Sequence, residues 1–203
     1  MAGWNVDGSL DSKSPWESVA PMTSDILIGQ FQDREYLDVA QLIRSTMSQH
    51  AEAGSVIAST LRRISDFQGT YRQEGCLYFV ARDMSRDGVC IGGAGIGPLH
   101  GLPLSEGVGE VRDIVVTDQY RSRGIGTSLL KRCLNEARKL GYKRLYLEAT
   151  PDMKIAQKLF QRFGFRPVTQ GALNLDSAPG QQEGDNSPCY YLIDHLDTKM
   201  PEP

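Results

Sequence analysis

"VVTDQYRSRGIGTSLL", residues 115–130, decides how this chain is read. Its front end closes the apolar run Ile114-Val115-Val116, whose β-branched side chains favour an extended strand. Its back end opens a stretch with Ile125, Leu129, Leu130, Cys133, Leu134, Ala137 and Leu140 at helical spacing on one face. The joint between them is Arg121-Ser122-Arg123-Gly124-Ile125-Gly126, followed by Thr127. Gly124 and Gly126 lack a Cβ, so backbone here can approach a ligand closely. The helix that follows presents free N–H groups and the positive end of its dipole, which attract anions. Arg121 and Arg123 add full charges to that partial one. A strand, a glycine loop and a helix in this order make a pyrophosphate site, and they equally make a turn with a helix cap. The loop is not a Walker loop, because no GK[ST] follows, and not GxGxxG, because the third glycine is missing.

Working outward, residues 1–24 are rich in Ser, Gly, Asp and Pro without periodicity and read as a flexible tail. A single domain is expected over 25–197, with a short C-terminal tail at 198–203. Strands are predicted at 26–31, 76–83, 89–99, 109–116, 144–150, 165–170 and 188–194. Helices are predicted at 35–50, 55–67, from the glycine loop to Leu140, and at 153–163. Arg86-Asp87-Gly88 reads as a hairpin turn, and Gly141 and Gly164 as helix stops. Residues 171–187 read as a long polar loop. The order predicts an α/β fold: a mixed sheet of about six to seven strands flanked by about four helices, antiparallel first and with a parallel crossover in the second half.

The charge of the chain, −3 overall, is unevenly laid out. Residues 121–166 hold twelve Lys/Arg and three Asp/Glu, a local +9, which leaves −12 for the remainder. The middle segment either faces an anion or presents solvated helix faces. The four cysteines and three histidines are scattered without CxxC or metal-ligand spacing, so neither a zinc site nor a disulfide framework is expected. No apolar run is long enough for a membrane span, and the N-terminus has neither signal-peptide nor transit-peptide character. A cytoplasmic location is the expectation. With a pI of about 5.6 and no nucleic-acid motif, a DNA or RNA partner is not expected.

The run from Val115 to Leu130 resembles the acetyl-CoA-binding motif of the GNAT (Gcn5-related N-acetyltransferase) family, Q/R-x-x-G-x-G/A, filled here by Arg121, Gly124 and Gly126. Downstream, AQKLFQRFGFRPV (156–168) resembles the second motif of the family, an alanine followed by an aromatic and then GF. The resemblance covers about residues 25–195, and the stretches GGAGIGPLHG and YLEAT place it nearest a bacterial subgroup of unassigned substrate. It implies that the backbone of Ile114, Val115 and Val116 pairs with the pantetheine arm like a missing strand. It further implies that the amides from Ser122 to Thr127, Ile125 among them, hold the pyrophosphate. Acetyl-CoA is then the co-substrate and the natural client of the +9 segment, with no metal required. The implied partner is a small-molecule amine or amino-acid-like acceptor. A protein acceptor and a non-catalytic acetyl-CoA-binding module are the alternatives, and a homodimer is left open.

Acetyl transfer to an amine needs a proton acceptor, an oxyanion donor and a path for the thiolate. Glu110, eleven residues before Arg121, stands where several family members carry the glutamate that deprotonates the amine, directly or through water. Strand alternation puts Glu110 and Arg112 on one face and Asp113 on the other, barring a bulge. The tyrosine that the family uses as general acid is Phe160 here, and the asparagine often found three before the motif alanine is Met153. Either the thiolate leaves unaided or another group serves, for which Tyr146, Tyr190 and Cys189 are the alternatives. Tyr190 and Tyr191 point to opposite faces of their strand, one into the core and one toward an acceptor pocket.

Overall fold

In the computed structural model, residues 25–50, 54–99, 102–169, 189–194 and 196 are described. The expected tails at 1–24 and 198–203 and the 171–187 loop lie outside them. The chain enters through β1 (Ile26–Gln30) and continues into α1 (Tyr36–Met47), α2 (Gly54–Ser65) and α3 (Phe67–Tyr71). There follow β2 (Leu77–Asp83), β3 (Val89–Pro98), β4 (Val108–Val116), α4 (Ile125–Lys139), β5 (Arg144–Ala149), α5 (Lys154–Arg162), β6 (Arg166–Val168) and β7 (Cys189–Ile193). The expected elements are present with ends moved by one to three residues. The addition is α3, because the Asp66 side chain accepts from the Gly69 N–H and starts a new helix where the sequence reads as the end of α2.

One sheet holds all seven strands in the order β1-β2-β3-β4-β5-β7-β6. Neighbours are antiparallel except β4 and β5, the parallel pair joined through α4. On one face, Leu129, Leu130, Cys133 and Leu134 of α4 pack with Phe79, Ile91, Ile96, Val111, Leu145 and Leu147. On the other, Val39, Ile43 and Met47 of α1 pack with Phe67, Tyr71, Tyr78, Val80 and Val115. A small third cluster joins Leu99, Val108, Tyr146 and Leu192. The alternating apolar residues of each strand thus feed two opposite cores, which is why the sheet is central.

Two irregularities in β4 position the site. The first is a bulge. Gly93 pairs with Val115 but Gly95 with Arg112, so three steps of β4 oppose two of β3, and Asp113 takes a left-handed φ of 54°. Asp113 does not go to the opposite face as simple alternation requires. The extra residue turns it to the side of Arg112, and both reach Tyr71: the Tyr71 hydroxyl donates to Asp113 Oδ2 at 2.7 Å, and the Arg112 guanidinium lies 5.3 Å from the ring centre. The second irregularity is a fork. The β4–β5 register runs only from Val108/Arg144 to Val111/Leu147. Beyond it, among the described residues, β4 has no strand partner on that side; the Val116 carbonyl there accepts from Arg121 Nε and the Asp113 carbonyl from the Tyr78 hydroxyl.

Candidate functional site at the β4–β5 fork

The open β4 edge leads straight into the glycine loop. Thr117–Tyr120 forms a tight turn, and Ser122 and Gly124 take left-handed φ values of 61° and 80° before α4 begins at Ile125. Gly124 is the N-cap residue and has no side chain to bond the first amides, so the N–H groups of Ile125, Gly126 and Thr127 are free of intrahelical partners and available to an anion. Glycine at 126 is not demanded by packing. A Cβ there would stand 3.6 Å from Leu159 Cδ2 and 3.9 Å from Val116 Cγ2, ordinary contact distances. Space left open at a free helix N-terminus is what a bound phosphate needs, so the loop fits a pyrophosphate.

The two loop arginines are organised by the protein itself. Arg121 Nε donates to Val116 O at 3.2 Å, while its Nη2 meets Gln49 Oε1 at 3.0 Å and Asp118 Oδ1 at 2.7 Å. Arg123 stacks over the Tyr120 ring at 5.0 Å. Both brace the loop as well as charging it.

Glu110 lies in β4 one residue before the fork opens, opposite Tyr146 of β5. Its Oε1 accepts from Arg112 Nη1 at 2.8 Å, and the side chain is 21% exposed. Beside it stands a second carboxylate that the sequence reading passed over. Leu145, Leu147 and Ala149 of β5 enter the α4 core, which leaves Tyr146 and Glu148 for the Glu110 face. Burial, and then the charge of Glu110, push the Glu148 carboxyl up to about 6, against the pull of Arg63. Sequence alternation alone carried the signal for Glu148, since YLEAT follows the same in–out pattern as its neighbours.

The floor of this face is tied down by Asp113, whose side chain has no exposed surface. Arg63 clasps it through Nε to Oδ2 at 2.9 Å and Nη2 to Oδ1 at 2.8 Å, and Thr60 donates to Oδ1 at 3.1 Å. Burial opposes the charge of Arg63, yet the Asp113 carboxylate holds the guanidinium above its ordinary pKa. This clasp fixes α2 and α3 over the bulge, and nothing in the local sequence signals it.

The alternatives for a proton donor separate cleanly. Phe160 is buried against Phe165 and Tyr191, a core residue. Tyr191 is likewise core, whereas Tyr190 pairs with Glu148 across β5–β7 and is half-buried. Burial, then Glu148, push the Tyr190 phenol up to about 12, so it keeps its proton. Tyr146 shares that face, while Cys189 packs toward the α4–α5 core. Met153 stands before α5 without a capping side chain and packs against both large cores. No group of three or more His, Cys, Asp or Glu that could hold a metal is present among the described residues, and no helix there is long and apolar enough to cross a membrane.

Comparison with known proteins points the same way. Residues 39–165 match the model of the acetyltransferase (GNAT) family. The uncharacterized N-acetyltransferase YjgM of Escherichia coli (strain K12) is 28% identical over 133 residues, 64% of this chain and 75% of that protein. An amino-acid acetyltransferase of Yersinia enterocolitica is 34% identical over 92 residues, which are 45% of this chain but 19% of the relative. Among solved structures, the acetyltransferase yncA from Salmonella typhimurium, determined with its cofactor acetyl-CoA, shares the fold with a TM-score of 0.61 at 18% identity, covering 87% of this chain and 97% of that one. An acetyltransferase from Streptococcus agalactiae aligns with a TM-score of 0.67 at 15% identity over 84% of this chain and 99% of that chain.

Proposed function

We propose, from the premise that this chain belongs to the acetyltransferase (GNAT) family, that it transfers the acetyl group of acetyl-CoA to a primary amine of a small-molecule or amino-acid-like acceptor. The observation that carries this reading is the fork: an unpaired β4 edge that runs from a carboxylate pair into a loop of free amides. In this reading Ile114, Val115 and Val116 hold the pantetheine arm by strand-like hydrogen bonds, and the loop from Arg121 to Thr127 holds the pyrophosphate. Backbone N–H groups at the bulge stabilise the oxyanion that forms on the carbonyl oxygen. Glu110 receives the proton of the ammonium, directly or through water, and Glu148 lies next to it. Tyr190 or Tyr146 supplies a proton to the departing thiolate, the role for which Phe160 has no proton. The cytoplasmic location expected from the sequence belongs to the same proposal.

The test is thiol release from acetyl-CoA across a panel of amines, repeated with Glu110→Gln. The substitution keeps the strand and should leave acetyl-CoA affinity unchanged while kcat/KM falls by about 10²–10⁴-fold, the usual range for a lost general base. Near-normal turnover in a folded Gln variant would remove Glu110 from the role.

A further inference from the structure

Three carboxylates and two guanidinium groups meet at the fork, and their pairing is uneven. Arg63 of α2 is committed to Asp113 by two hydrogen bonds. Arg112 of β4 is committed to Glu110 through Nη1 and reaches Cys76 Sγ through Nη2 at 3.5 Å. The carboxylate left over is Glu148 of β5, which makes no ion pair among the described residues. It lies two residues beyond Tyr146, the register partner of Glu110, on the same face of the sheet, within the electrostatic reach of Glu110 and of Arg63 on α2, and its register partner on β7 is Tyr190. A ligand entering this face therefore meets a net negative charge held by half-buried groups.

We infer that Glu148, with Glu110 beside it, makes the acceptor site selective for cationic amines that carry no carboxylate next to the reacting nitrogen, and against free amino acids. This rests on the N-acetyltransferase reading and narrows its acceptor class. The ammonium is attracted by the pair, while a carboxylate one carbon away must share the same small space. Two like charges about 6 Å apart at an effective dielectric of about 20 are disfavoured by about 10²-fold. Partial neutralisation by Arg63 and Arg112 reduces that to at least about 10-fold in discrimination. Such rejection by an unpaired like charge is a common way to turn a permissive site into a selective one.

Matched pairs whose one primary amine is the α-nitrogen isolate the carboxylate: tyramine against tyrosine, phenethylamine against phenylalanine, agmatine against arginine, each with the corresponding amino-acid amide as a third arm. Thiol release at saturating acetyl-CoA should give each decarboxylated amine a kcat/KM at least about 10-fold above its amino acid. The amides should recover most of that difference. Glu148→Gln should bring the ratio to within about 3-fold, with acetyl-CoA affinity and the thermal melt recording that the variant is folded and loaded. Amino acids turned over as well as or better than their amines, or a ratio unmoved by Glu148→Gln, would overturn the inference while leaving the enzyme reading intact. Absence of thiol release with every arm would instead overturn the acetyltransferase reading, and the inference would fall with it.

Discussion

Replacing Gly126 by alanine should push stability and cofactor affinity in opposite directions. The added methyl falls 3.6 Å from Leu159 and 3.9 Å from Val116, so it gains contacts without a clash. Position 126 is the second residue of α4, where glycine costs up to about 0.5–1 kcal/mol relative to alanine, much of it through the freedom of the unfolded chain. The variant should therefore melt about 1–4 °C higher. In the proposed pyrophosphate cradle, the same methyl would crowd the approach of a phosphate oxygen to the amide. Loss of one charge-assisted hydrogen bond is worth about 1.5–3 kcal/mol, or about 10–150-fold in Kd. Scanning calorimetry gives the first quantity and titration calorimetry with acetyl-CoA the second. A melting temperature that falls would mean that packing requires the glycine. An unchanged Kd in a stabilised variant would refute the cradle. Gly124→Val is the less discriminating change, because its φ of 80° would strain any side chain there whatever the loop binds.

Two further outcomes follow from the buried charges. The Glu148 carboxyl, pushed up to about 6 by burial and by Glu110, binds its proton more tightly in the folded chain than in the unfolded one, so its ionisation destabilises the fold fully above pH 6 and not at all well below pH 4.5. Glu148→Gln should then gain up to about 2 kcal/mol at pH 8 and close to nothing at pH 4, read from urea unfolding at the two pH values; an equal gain at both would refute the electrostatic origin. Asp113→Leu should cost about 3–5 kcal/mol in the same assay, because it strands Arg63, Tyr71 and Thr60 and places a branched side chain at φ 54°. Asp113→Asn, which tolerates that backbone and keeps hydrogen-bonding capacity, should cost clearly less, and equal losses would assign the effect to the lost carboxylate charge opposite Arg63 rather than to the backbone.

The contrast between what the sequence shows and what it hides lies in β4 and β5. Val115-Val116 followed by the glycine loop and a helix of clear period is local information, and it delivered the strand–loop–helix order on which the proposed cofactor half of the site rests. Tyr190 and Tyr191 were separable for the same reason, since a two-residue period sends neighbours to opposite faces. Asp113 was misplaced under plain alternation because a bulge is set by register with β3, where Gly93 and Gly95 straddle the extra residue, and register is not written in β4 itself. Glu148 was missed as a partner of Glu110 because its meaning depends on the parallel pairing that stops at Leu147. The Arg63–Asp113 clasp joins residues fifty positions apart, and neither end has a local pattern that names the other.

The bulge has a consequence for how the molecule comes apart. Val108, Val111 and Val115 all belong to β4, yet each is buried in a different cluster. A strand of regular pleat could serve two faces only by alternation, with Val111 and Val115 on the same one; the extra residue lets a single strand stitch every buried region together. No layer can then peel away while β4 stays in place, and β4 cannot leave without opening all three. The amides from Val108 to Val111, paired on both sides, should thus exchange with solvent only when the whole domain unfolds, and their protection measures its global free energy. The amides just beyond them sit in the same strand with one side uncovered. Two neighbouring halves of β4 therefore report on different events, the first on the cooperative unit and the second on whatever seals the fork.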